Sequence, residues 1–143
     1  MNDKAVSSVH WSFWVISAVA LIWNVMGVIN YFMQMNADAL ATYPEAERAI
    51  VEGRPAWATG AFAIAVFGGA VGGLLLLLRK SAAFYVFIVS LLGVIVTHIH
   101  TFRVASSTVD FGPAVISAIL SSLVMAVFLI WYSKLAERKA WIS

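Results

Sequence analysis

The sequence predicts an all-α, polytopic membrane protein: an antiparallel bundle of four transmembrane helices, with a short amphipathic helix in the first external link. Three observations predict it. Of the 143 residues, 62% are hydrophobic and 11% are charged, and the mean hydropathy is +0.91; soluble domains carry about 25% charged residues. Four apolar runs, at about 11–34, 56–78, 81–102 and 111–133, each match the length of one bilayer crossing. None shows the strict alternation over segments of ~10 residues that membrane β-strands need. A single transmembrane domain over 1–143 follows.

The first run is Trp11–Gln34, WSFWVISAVALIWNVMGVINYFMQ. It is longer than a signal-peptide core and no small-x-small cleavage site follows it, so a retained helix is expected. Trp23, Asn24, Gly27, Asn30, Tyr31 and Gln34 fall within an arc of about 120° at 100° per residue. A polar stripe of this kind predicts an inward face. In the link that follows, TYPEAERAIVEG reads as a short helix. Pro44 suits the first helical position, Glu45 and Glu47 favour the positive N-terminal end, and Gly53 can end it. Tyr43, Ala46 and Ile50 share one face, to lie on the membrane or over the bundle.

The second run, Ala56–Leu78, carries no charge. Ala58, Ala61, Ala65, Gly68, Gly69 and Gly72 occupy an arc of about 100°. Small residues on one stripe let helix backbones approach closely, which drives association in lipid. This helix is therefore predicted to be the hub of the bundle, with Ala61, Ala65, Gly68, Gly69 and Gly72 as its packing residues. The third run, Ser81–Phe102, follows the two-residue link Arg79–Lys80, so the second and third helices are expected to form a tight hairpin. Ser90, Gly93, Thr97, His100 and Thr101 share an arc of about 100° on it. The link Arg103–Asp110 offers Asp110 or Ser107 as a cap for the fourth helix, and Pro113 suits that helix's first turn. Ser117, Ser121 and Met125 share a face of the fourth helix.

Orientation follows from Lys and Arg. Lys4, Arg79, Lys80, Lys134, Arg138 and Lys139 fall on one side, and Arg48, Arg54 and Arg103 on the other. An excess of basic residues marks the cytoplasmic side, so both termini are expected there, in a bacterial inner membrane. The net charge of +2 is too small to suggest nucleic acid.

The polar residues allow two readings. Ser117, Ser121, Thr97 and Asn24 suit hydrogen-bonded contacts between helices. Asn30, Tyr31 and Gln34 end one helix, and Thr97, His100 and Thr101 end another. With Arg54, they suit an outward-open vestibule for a small neutral polar solute, sugar-like in its hydrogen bonding. The candidate binding residues are thus Asn30, Tyr31, Gln34, Thr97 and His100. His98 and His100, two apart on a helix, diverge by about 160° and cannot chelate one ion together. Met33 and Met35 with a histidine would suit Cu(I), but methionine is also ordinary apolar filler. No metal site and no cofactor is predicted.

Several classes are argued against. Cysteine is absent, which removes thiol–disulfide chemistry and thiolate metal sites. The first helix carries Asn24 where small drug/proton antiporters carry a membrane carboxylate. GGAVGG lies mid-membrane and reads as packing, not as a phosphate loop. No nucleophile–base pair is recognisable, so no enzyme is expected.

WNVMGV at Trp23–Val28, PAW at Pro55–Trp57 and AVFGGAVG at Ala65–Gly72 carry a resemblance over roughly residues 13–95. The chain resembles a family of small bacterial inner-membrane proteins, members of which bear the label "sugar transporter". The resemblance implies four membrane helices and, through that label, transport; it carries over no site residues. The expectation is a carrier or channel for a small neutral polar solute, acting as a homo-oligomer. The alternative is a non-transporting accessory or structural subunit of a membrane complex. The partners expected are the lipid bilayer and either further copies of the chain or a larger assembly.

Overall fold

The computed structural model describes residues 8–108 and 112–143, with backbone only at 104–108. Lys4, Asp110 and Phe111 lie outside the described residues, as does the side chain of Ser107. Helix α1 spans Trp11–Met35, α2 Ala37–Leu40, α3 Glu45–Glu52, α4 Ala56–Leu77, α5 Ala83–Thr108 and α6 Pro113–Arg138. No strand occurs among the described residues. Helices α1, α4, α5 and α6 are each long and apolar enough to cross a membrane. The chain is a multi-pass, all-helical membrane protein.

Local chemistry sets the boundaries. The His10 imidazole accepts from Ser12 N at 3.2 Å and caps α1. Asn36 ends α1 and caps the one-turn α2, its Oδ1 accepting from Ala39 N at 3.0 Å. Pro44 is the N-cap of α3 rather than its first residue, because its carbonyl accepts from Arg48 N while its ψ of 148° stays extended. Pro113 takes the first position of α6. Helix α5 continues through Arg103 to Thr108, where the sequence predicted a link.

Helices α4 and α6 both end in a left-handed residue, Arg79 at φ 62° and Ala140 at φ 57°. In each, the next N–H reaches back five residues, Lys80 N to Leu75 O at 2.8 Å and Trp141 N to Ala136 O at 2.9 Å. This turn usually employs glycine. The two turns are tied together: Ser81 N donates to Ser143 O, Ser143 N to Arg79 O, and Arg79 Nε to Trp141 O. The last residues therefore dock on the α4–α5 turn. That end of the bundle, the near end, carries Arg79, Lys80, Lys134, Arg138 and Lys139. The far end carries α2, α3, Arg48, Arg54 and Arg103.

Helix α4 packs along both α1 and α5, and α6 packs chiefly along α5. The expected hub is thus a hub for two neighbours. Its small residues divide between them. A Cβ on Gly68 would meet Ser90 at 3.3 Å and one on Gly72 the Phe87 ring at 2.6 Å, both on α5. A Cβ on Gly69 would collide with the Asn24 amide and one on Gly73 would meet Leu21 Cα at 3.1 Å, both on α1. From the α5 side, a Cβ on Gly93 would press into the α4 backbone at Ala61 O and Ala65 N, each 2.7 Å away. Ala61 and Ala65 are buried beneath it.

Candidate functional site

Helices α1 and α6 meet at the near end, where the Phe13 and Tyr132 rings stack with centroids 6.4 Å apart. They do not pack along the rest of their length. The interval between them opens into a cavity of about 370 Å³ walled by all four spans. Most of its lining is apolar. Its polar side chains are Trp23, Asn24, Asn30, Ser90, Thr97, His98 and Ser122, of which none is an acid, a lysine or an arginine.

Asn24, Ser90, Thr97, His98 and Ser122 are fixed by their own helix or a neighbour. Asn24 Nδ2 donates to Ala20 O at 2.8 Å, one turn back. Ser90 donates to Ala65 O at 2.6 Å, joining α5 to α4. Thr97 donates to Gly93 O at 2.7 Å. His98 Nε2 stands 2.7 Å from Ser122 Oγ, joining α5 to α6. Ser122 Oγ also lies 3.0 Å from Ile119 O, to which it donates. His98 Nδ1 is enclosed and has no hydrogen-bond partner. A buried polar atom left unpaired costs ~1–3 kcal/mol, so this one is a marked feature of the wall.

Aromatic and aliphatic packing closes the near end: Phe13, Leu76, Phe87, Leu129 and Tyr132 form one buried cluster. The far end is crossed by the link and α3. Ile50 packs on Val115 and Ile119 of α6. Tyr43 OH donates to Asn30 Oδ1 at 2.5 Å, and Arg54 Nη1 donates to Gln34 Oε1 at 2.9 Å. The Arg54 guanidinium also lies 4.8 Å from the centroid of the Phe62 ring. Burial lowers the Arg54 pKa from its ordinary value, with Tyr31 opposing the shift. Burial, then Glu47, raises the Tyr43 phenol.

The five predicted binding residues do not gather at one vestibule. Asn30 and Thr97 line the cavity. Tyr31 packs with Phe62 and Phe67 at 5.8 and 5.5 Å between ring centroids. Gln34 is held by Arg54. His100 is buried beneath α3, its Nε2 3.4 Å from Ile50 O and its ring edge-on to Trp57. The histidines exchange the places expected of them: His98 faces the cavity and His100 supports α3. They do point apart, His98 to Ser122 and His100 to Ile50 O.

Sequence reasoning also misplaced the inner face of α6. Ser117 is exposed and Ser121 half-exposed, and Ser121 satisfies its hydroxyl on Ser117 O of its own helix at 2.7 Å. That local bond lets a serine face lipid without an unpaired proton. The inward stripe is instead Val115, Ile119, Ser122, Ala126, Leu129, Ser133 and Ala136, a seven-residue repeat that could have been read from the sequence. Comparison with protein-family models, curated proteins and solved structures yields no match to this chain.

Proposed function

We propose that this chain is a multi-pass protein of the bacterial inner membrane that binds a small uncharged solute within its bundle and carries it, acting as a homo-oligomer. The observation that supports the reading is the cavity walled by four spans. Convergent polar groups in an otherwise apolar concavity are the usual form of a small-molecule site. The lack of any charged group in the wall favours a neutral solute, because an unpaired charge there would be strongly disfavoured. The five basic residues of the near end favour placing that end, and both termini, in the cytoplasm. The resemblance to proteins labelled "sugar transporter" agrees with transport.

The experiment pairs flux with stability. Proteoliposomes of the wild type are assayed with a panel of sugars, polyols and other neutral solutes, alongside Asn24→Leu and His98→Phe. Carriage predicts flux in the wild type and its loss in variants that remain folded at the assay temperature. No flux for any solute removes the carrier reading.

An accessory subunit is the second reading, and one observation favours it. Ser117 and Ser121 lie one turn apart on the outward side of α6, where small residues allow a partner helix to approach closely. Gentle purification distinguishes the two: a larger partner that comes away with the chain, together with absent flux, favours the subunit.

A further inference from the structure

Resting on the binding reading above, the geometry points to a class of ligand. We propose that the cavity takes one uncharged amphiphile with a hydroxyl head group and an apolar body, and that it enters from the bilayer between α1 and α6.

The route follows from what is closed. At the near end the Phe13, Phe87, Leu129 and Tyr132 cluster fills the bundle. At the far end Tyr43 reaches across to Asn30, and α3 lies over α5 and α6 through Ile50. Both aqueous ends are therefore covered. The remaining side is the interval between α1 and α6, the neighbouring spans that do not pack along their length. In a bilayer this interval faces hydrocarbon. A molecule already dissolved in lipid reaches the cavity without crossing a packed layer, whereas a sugar would have to leave water first.

The head group follows from the hydrogen bonds. Ser122 has one hydroxyl proton, directed at Ile119 O. The 2.7 Å contact with His98 is then an Nε2–H donating to Ser122 Oγ. Neutral imidazole carries one N–H, so Nδ1 is a bare acceptor, and it has no partner. The hydroxyls of Ser90 and Thr97 already donate to Ala65 O and Gly93 O, which leaves them able only to accept. Asn24 donates one Nδ2 hydrogen to Ala20 O and keeps its Oδ1 as a further acceptor and its second Nδ2–H as a donor. The other donors in the wall are the Trp23 indole N–H and Nδ2 of Asn30, whose Oδ1 is engaged by Tyr43. A wall that sets donors beside acceptors, one of them an unpaired acceptor on His98, matches an alcohol, which donates and accepts at the same oxygen. An ether or ester of the same shape supplies no donor. His98, which carries this unpaired acceptor, lines the cavity.

The test uses the full chain in nanodiscs of phosphatidylcholine with three photoactivatable probes. One is a diazirine-bearing decanol, the second its methyl ether, and the third a water-soluble diazirine-bearing hexitol. The expected result is decanol labelling at Trp23, Asn24 or Met125, with the ether labelling those positions at least tenfold less. His98→Phe should abolish the preference of alcohol over ether; should that variant not fold, the wild-type comparison still decides. Equal labelling by alcohol and ether overturns the head-group assignment. Cavity labelling by the hexitol but not by the decanol overturns the amphiphile while leaving solute binding intact. Labelling of the cavity by none of the three overturns this proposal and the binding reading together.

Discussion

His98 Nε2 and Ser122 Oγ stand 2.7 Å apart across the interface of α5 and α6. Without a hydrophobic driving force between helices, one such bond counts toward holding α6 in place. A double-mutant cycle of His98→Leu and Ser122→Ala should return a coupling of ~0.6 kcal/mol, measured by unfolding in mixed micelles. A coupling of zero would mean the bond does not form in the folded protein.

The glycines should rank by what a methyl group meets. Gly93→Ala pushes on α4 backbone and should cost ~1–3 kcal/mol, because backbone cannot rotate aside. Gly72→Ala meets a phenyl ring, which can turn, and should cost less; Gly68→Ala, at 3.3 Å from Ser90, less again. Gly60 has nothing within 4 Å, so Gly60→Ala should be neutral or stabilising by up to ~1 kcal/mol through helix propensity. Thermal unfolding of the four variants checks the order.

Ala140 adopts φ 57° at an exposed site. A left-handed residue with a Cβ costs roughly 1–2 kcal/mol, part of which glycine returns as unfolded-state entropy. Ala140→Gly should therefore raise stability by ~0.5–1 kcal/mol. Arg79→Gly should gain less, since it also loses the Arg79 Nε bond to Trp141 O. An Ala140→Gly variant that melts earlier would contradict the turn geometry.

Tyr43→Phe removes the hydroxyl that bonds Asn30 and should destabilise by ~1 kcal/mol near neutral pH. The phenol's pKa is raised in the folded state, by burial and then by Glu47. Its stabilising contribution is thus complete below the unfolded value of about 10 and is lost as pH rises through the folded value. The wild type should lose stability above about pH 10 more steeply than Tyr43→Phe. Parallel alkaline unfolding curves would remove the effect.

Topology is tested with reporters that work only in the cytoplasm. A fusion after Ser143 should be active and one inserted at Thr42 silent. The reverse pattern would invert the proposed orientation.

Much of the fold was legible because lipid imposes a simple rule: a span must be apolar and long enough to satisfy its own backbone. Composition and run length alone therefore gave four helices, and the sequence also predicted the helix between the first two spans and the placement of Pro113. Boundaries were less legible. Arg103 and the residues after it continue α5 past the apolar run, since a helix does not stop where hydrophobicity does.

The candidate site was legible in its ingredients and not in its arrangement. Asn24, Asn30, Ser90, Thr97 and His98 could be seen as polar groups at membrane depth from the sequence alone. Which of them face one cavity depends on which neighbour each helix side meets. Helix α5 touches both α4 and α6, so it has two inward faces, and a single polar arc could include His100 and leave out His98. Ser117 and Ser121 looked inward by polarity, yet a serine that bonds its own helix carbonyl carries no such signal. The sequence by itself determined that the chain spans a membrane with four helices, because that follows from the solvent. Only the tertiary structure decided that α1 and α6 stand apart along most of their length and that α3 closes the far end, because helix packing in lipid turns on the fit of individual small side chains against particular partners.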